Sequence, residues 1–161
     1  TATLRHLRPP TLRLLSIIPE RRRRLVLYWV PLVAWMAAIF VLSSMSAEDI
    51  ERSTPKGFPL ASKTALAHVV EFAVLGTLVH RLLSSYGLKS SPRLWGAVLA
   101  LTIGYALTDE FHQSFVPGRD PSWVDMGLDS LGAAIGLLVR ELAVQLRRRF
   151  GDGGRPGRTP F

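Results

Sequence analysis

The sequence predicts an all-α protein: a four-helix transmembrane bundle with both termini cytoplasmic and a polar cluster towards the outer side. Three observations point there. Residues 25–42 and 94–108 are uncharged apolar runs, and residues 61–83 and 122–139 are apolar apart from a few embedded polar groups. Basic residues collect on one side of the alternating spans these runs would make. Acids, bases and amides, by contrast, lie inside the runs, where they are costly in lipid and usually functional.

Composition allows one small domain of 161 residues, with a mean hydropathy of +0.22 and 48% hydrophobic residues. That apolar content could serve a core or a bilayer, so pattern has to decide. The absence of cysteine excludes disulfides, thiolate metal sites and cysteine nucleophiles. A formal net charge of +8 raises the question of nucleic acid. The arginines, however, stand in blocks beside apolar runs rather than along an aromatic-studded face, so membrane lipids are the expected partner and nucleic acid is not.

Residues 1–24 read as a basic cytoplasmic segment, and Thr1 to Ile18 within it carry a weak amphipathic pattern suited to an anionic membrane surface. The run at 25–42 follows, carrying Trp29 and Trp35. At ~1.5 Å per residue it crosses a ~30 Å hydrocarbon core. A secretory signal is the competing reading, because Arg21 to Arg24 resemble its basic start and Ser44-Met-Ser-Ala47 its cleavage site. The run exceeds the usual ~7–15 residue signal core, which favours an uncleaved anchor. Pro31 is placed near the helix start, where a missing N–H is tolerated.

Residues 45–60, with Pro55, Gly57 and Pro59, read as an outer linker, and 61–83 as the second span. Residues 84–92 make a short inner turn, 94–108 a third span that can extend to Phe111, and 114–121 an outer turn. The fourth span is 122–139, the membrane domain closes near 145, and 146–161 is a basic tail rich in Gly and Pro at its end. Taken singly, the second and fourth spans also fit buried helices of a soluble protein. Charge placement decides between these. All but four of the 20 Lys and Arg fall on the inner side of this topology, the exceptions being Arg52, Lys56, Lys63 and Arg119. The positive-inside rule asks for that sorting; a soluble bundle gives no reason for it.

The topology brings the start of the second span, the end of the third and the start of the fourth to the outer side. On the second, at ~100° per residue, Lys63, Glu71 and His68 fall on one broad face. On the third, Thr102, Ala106, Asp109 and Gln113 share a face, and Glu110 points about 100° away, so the two adjacent acids are expected to take different partners. On the fourth, Ser122, Asp125, Asp129, Gly132 and Gly136 form a stripe whose Gly132-x3-Gly136 permits close helix approach.

Each residue also has a plainer role. Lys63 and Arg119 could snorkel to headgroups, His68 and above all His80 could be packed histidines, and Asp125 could complement a helix dipole. Glu71 and Asp129 are harder to set aside, since an idle carboxylate at that depth costs on the order of 2.5–3.5 kcal/mol. Pairing with Lys63, His68 or Arg119, or a wet pocket, would relieve the cost. Arg119, in the turn Pro117-Gly118-Arg119, can hold a carboxylate or phosphate with two donors. Together with Lys63 and the N-terminus of the fourth span, it outlines an outward-facing anion site.

Lys63-x4-His68-x2-Glu71-Phe72, then Asp109-Glu110-x2-Gln113-x-Phe115-x-Pro117-Gly118-Arg119-x2-Ser122-x2-Asp125, and the Gly132-x3-Gly136 after it, resemble the VanZ-like family of small polytopic bacterial membrane proteins. The resemblance covers residues 32–139. It implies a multi-pass protein of the cytoplasmic membrane, linked in the family's namesake to low-level teicoplanin resistance. An extra carboxylate stands at Glu71, where the family often has an aromatic residue nearby, and at Asp129, where it often has Asn.

Two functions fit these residues. In one, an envelope enzyme acts on an anionic headgroup or lipid-linked phosphate. His68, Glu71, Asp109, Glu110 and Asp125 then supply the acid–base chemistry, while Lys63, Gln113, Arg119, Ser122 and Asp129 supply binding. In the other, the same groups form a noncatalytic ligand site or a proton relay in a small transporter. No cofactor is called for. A metal variant would use His68, Glu71, Asp109 and Asp125, but a tight helical ligand pair such as His-x3-His is absent, so no metal is expected.

Overall fold

The structure, a computed structural model, describes residues 19–53 and 60–151, the side chains of 60–63 excepted. The described residues form four long helices and one short one: α1 (Glu20–Ser43), α2 (Ala47–Arg52), α3 (Leu60–Ser85), α4 (Pro92–Gln113) and α5 (Trp123–Gly151). Most of the basic N-terminal segment and the Gly- and Pro-rich end of the tail lie outside the described residues. The first three long helices each contain one expected apolar run and extend it at both ends, whereas α5 starts one residue after its run begins and extends it at the C-terminal end.

Helix α1 starts well before Pro31, which changes how that proline is accommodated. An α-helical first turn, Glu20–Arg24, passes into a π-helical stretch, Leu25–Trp29, before regular α-helix resumes at Val30. Proline offers no N–H to the carbonyl four residues back and its ring crowds that carbonyl. The wider π turn lies just where an unbroken α-helix would meet the conflict.

Helix α2 lies in the segment expected to be a plain linker. Its start is a reciprocal capping box: the Asp49 N–H donates to Ser46 Oγ (3.2 Å), and the Ser46 N–H and hydroxyl donate to Asp49 Oδ2 (3.3 and 2.7 Å). The Ser46 hydrogen bonds hold the exposed Asp49 carboxyl below its ordinary pKa. Residues 54–59 lie outside the described set.

The other two connections are short. Gly87 and Gly118 carry φ of 88° and 74°, the left-handed region that glycine enters without a Cβ penalty. Ser91 caps α4 by accepting from the Leu94 N–H at 3.3 Å, with Pro92 at the first helical position. Ser122 accepts from the Asp125 N–H at 3.2 Å at the start of α5.

Neighbouring helices alternate in direction. Ser43, ending α1, meets His112 near the end of α4, whereas Trp29, early in α1, donates to Tyr86 just beyond α3. Helices α3 and α5 therefore run parallel, and they pack most closely of all. A Cβ on Gly132 or Gly136 would strike the carbonyl oxygen of Val69 or Ala73, and one on Gly76 would lie 2.8 Å from the Ala133 oxygen. Thr77 Oγ1 donates to the Gly136 carbonyl across this seam at 3.2 Å. The apolar core, including Leu32, Ile39, Phe72, Leu75, Leu94 and Val98, fills the space that α1, α3 and α4 enclose.

Among the described residues, Glu20–Ser43 and Thr64–Ser85 are long and apolar enough to cross a membrane. Only 11% and 39% of their most apolar windows are buried inside the protein. A helix at the centre of a soluble core would be mostly buried, so the apolar surface of these two faces outward.

Candidate functional site

His68 of α3 points at the start of α5. Its Nδ1 donates to Asp129 Oδ1 at 2.8 Å, and its Nε2 lies 3.9 Å from Asp125 Oδ2, one turn earlier on the same helix. The glycine seam brings the two backbones close enough for this contact. Asp129 is 0% exposed and His68 5%. One oxygen of Asp129, Oδ2, has no hydrogen-bond partner among the described residues.

The end of α4 adds two more acids with different duties. Asp109 Oδ2 accepts from Gln113 Nε2 at 2.8 Å, and Gln113 Oε1 in turn accepts from the Arg119 guanidinium. The buried amide thus links Arg119 to Asp109 and fixes the orientation of both. Glu110 Oε2 instead accepts the Ser122 N–H at 2.7 Å, at the α5 N-terminus where the helix dipole favours a carboxylate. As with Asp129, one oxygen of each acid, Asp109 Oδ1 and Glu110 Oε1, is buried and unpartnered among the described residues.

A cavity of about 230 Å³ opens beside this network. Ser43, Thr64, His68, Glu71, Gln113 and Arg119 contribute to its walls, with α2 supplying Ile50 at one margin. Glu71 is half-buried on the wall, and its backbone carbonyl accepts from Trp35 Nε1 at 2.9 Å, tying α1 to the site. Gly118 lies beside Ala47: a Cβ built on it would be 3.0 Å from the Ala47 Cβ.

Of the residues singled out from sequence, His68, Glu71, Gln113 and Arg119 thus border one cavity, and Asp109, Glu110, Ser122, Asp125 and Asp129 join them through the contacts above. The side chain of Lys63 lies outside the described residues. The two adjacent acids do take different partners. One donor atom each from His68, Glu110 and Asp129 lies within 4.8 Å of the others. Glu71, Asp109 and Asp125, the acids of the metal set weighed from sequence, are not in that trio.

The opposite end carries a second His–carboxylate pair. Twelve residues further along both α3 and α5, His80 Nε2 donates to Glu141 Oε1 at 2.8 Å. Ser90 Oγ donates to Glu141 Oε2 at 2.7 Å and Trp95 Nε1 to Oε1 at 3.0 Å. His80 is packed as expected, but Glu141, 5% exposed, was not foreseen. The signal was available, since both histidines and both acids are spaced by the same twelve residues. Here both oxygens are satisfied, which marks a structural pair. At the cavity end each of three acids keeps one oxygen without a hydrogen-bond partner among the described residues.

The other end also has a larger open hollow of about 840 Å³ among Arg21, Arg22, Arg24, Trp29 and Tyr86. Arg24 stacks over the Tyr86 ring at 4.3 Å, and Glu20, 3.9 Å from Arg24, is the one acid among the described residues that line the hollow.

The VanZ/LLP1 family model matches residues 28–144, most of the chain and all of the cavity end. No curated protein and no solved structure matches.

Proposed function

Because the chain belongs to the VanZ/LLP1 family, we propose that it is a multi-pass protein of the cytoplasmic membrane that binds or processes an anionic headgroup or lipid-linked phosphate. In this reading all four long helices span the bilayer, both termini are cytoplasmic, and the cavity opens towards the outer leaflet. The family assignment and two outward-facing apolar helices support a membrane location. The sorting of basic residues supports the orientation. Phe111, Phe115 and Trp123, exposed at the cavity end, suit an aromatic belt at a membrane interface.

The observation that carries the ligand assignment is Arg119 on the cavity wall, braced by Gln113. A guanidinium with one edge held by protein can offer its remaining donors to a phosphate in a fixed direction. His68 and Glu71 on the same wall are the groups placed to move a proton if the ligand is processed. Engagement of an envelope lipid precursor would also alter glycopeptide susceptibility.

The test is binding of polyprenyl phosphate and phosphatidylglycerol to the purified chain in nanodiscs, with product analysis over a broad lipid panel. Saturable binding weakened about tenfold or more by Arg119→Ala is expected, one charge-assisted contact being worth ~1.5–3 kcal/mol. Unchanged binding in Arg119→Ala would reject the site. Binding without product would leave recognition and remove processing.

A further inference from the structure

We propose that His68, Glu110 and Asp129 hold one divalent transition-metal cation, Zn²⁺ or Mn²⁺. Three donors that all lie within 4.8 Å of one another need only small side-chain shifts to meet a common ion at the ~2.0–2.3 Å typical of such bonds. All three residues are buried, Glu110 at 7% exposure being the least so. Asp129 Oδ2 and Glu110 Oε1 have no hydrogen-bond partner among the described residues, and the Ser122 N–H orients the Glu110 carboxylate through its other oxygen. His68 Nδ1, which faces Asp129 at 2.8 Å, would give up its proton to the solvent and bind the ion in its place.

Charge balance argues the same way. Glu71, Asp109, Glu110, Asp125 and Asp129 all belong to this end of the bundle, and Arg119 is the one permanent cation among the described residues that line its cavity. Leaving buried carboxylates uncompensated is strongly unfavourable, and the saturated Glu141 shows how this fold satisfies an acid that has only to pack. A divalent ion held by this trio would offset two negative charges among carboxylates that keep unpartnered oxygens. One nitrogen and two oxygens suit Zn²⁺ or Mn²⁺ better than the all-oxygen shells of Mg²⁺ and Ca²⁺. Three protein ligands also leave a coordination position open for water or a phosphate oxygen. The cation would then let an acid-rich cavity accept an anion, with Glu71 rather than the metal-bound His68 left to move a proton, which deepens the headgroup reading without depending on it.

The experiment uses the full chain in detergent, stripped with a chelator and titrated with Zn²⁺ or Mn²⁺ alone. About one equivalent should be retained per chain, and the sharp paramagnetic resonance of free Mn²⁺ should fall with the same stoichiometry. Glu110→Gln and Asp129→Asn should each weaken binding about tenfold or more, while the exposed Glu48→Gln leaves it unchanged. The wild-type measurement stands even if Asp129→Asn folds poorly. Failure of the wild-type chain to retain metal, with the free Mn²⁺ signal undiminished, would overturn the site. Binding that survives both substitutions would overturn it equally. Lipid binding by the metal-free chain would refute the cation's part in ligand capture alone; metal retained without lipid binding would refute the headgroup reading alone.

Discussion

Gly136 lies against the backbone of Ala73 so closely that a single added methyl would meet the Ala73 carbonyl oxygen. This contact, with Gly132 on Val69 one turn earlier, fixes the register in which His68 meets Asp129 and His80 meets Glu141.

Gly136→Ala should therefore destabilise the fold by about 1–3 kcal/mol, the usual range for overpacking a tight interface. Gly104→Ala is the control. A Cβ there meets nothing within 4 Å, so the change should be neutral or stabilising by up to ~1 kcal/mol through helix propensity. Unfolding in mixed detergent reads both.

Glu141→Gln should cost about 3 kcal/mol by breaking a buried, fully satisfied pair. Ligand affinity of the folded fraction should stay unchanged, because the pair lies at the other end of the helices. Affinity measured on refolded, monodisperse protein checks the separation.

Gln113→Leu keeps the buried volume but cuts Arg119 from Asp109. Anion affinity should fall about tenfold or more, at ~1.4 kcal/mol per decade, with little change in helix content. Equal affinity for wild type and variant would show that Arg119 needs no brace.

The α2 capping box should respond to acid. The Ser46 hydrogen bonds depress the Asp49 pKa, so its contribution is complete above the ordinary value of 3.8 and disappears as pH falls through the lower folded value. Ser46→Ala should remove that dependence. Amide exchange across residues 47–52, measured against pH, reports it.

Much of this arrangement was legible because helical periodicity places residues on faces. The stripe Asp125, Asp129, Gly132, Gly136 and the face Thr102, Ala106, Asp109, Gln113 both point inward in the structure. Periodicity fixes an angle around one helix but not how far a neighbour slides along it. Which acid meets His68 therefore depended on the parallel seam, and the trio with Glu110 could not be read from spacing. Glu141 was missed for the same reason. Helix α2 was overlooked although Ser46-x-x-Asp49 is a capping signature, because the same small residues also resemble a processing site.

Gly118 touching Ala47 joins the turn that carries Arg119 to the beginning of α2. Two stretches far apart in the chain thereby meet beside residues that line the cavity. A bulkier residue at either position would press on the turn that holds the guanidinium to its amide brace, so the direction in which Arg119 points is tied to a methyl group outside the cavity lining.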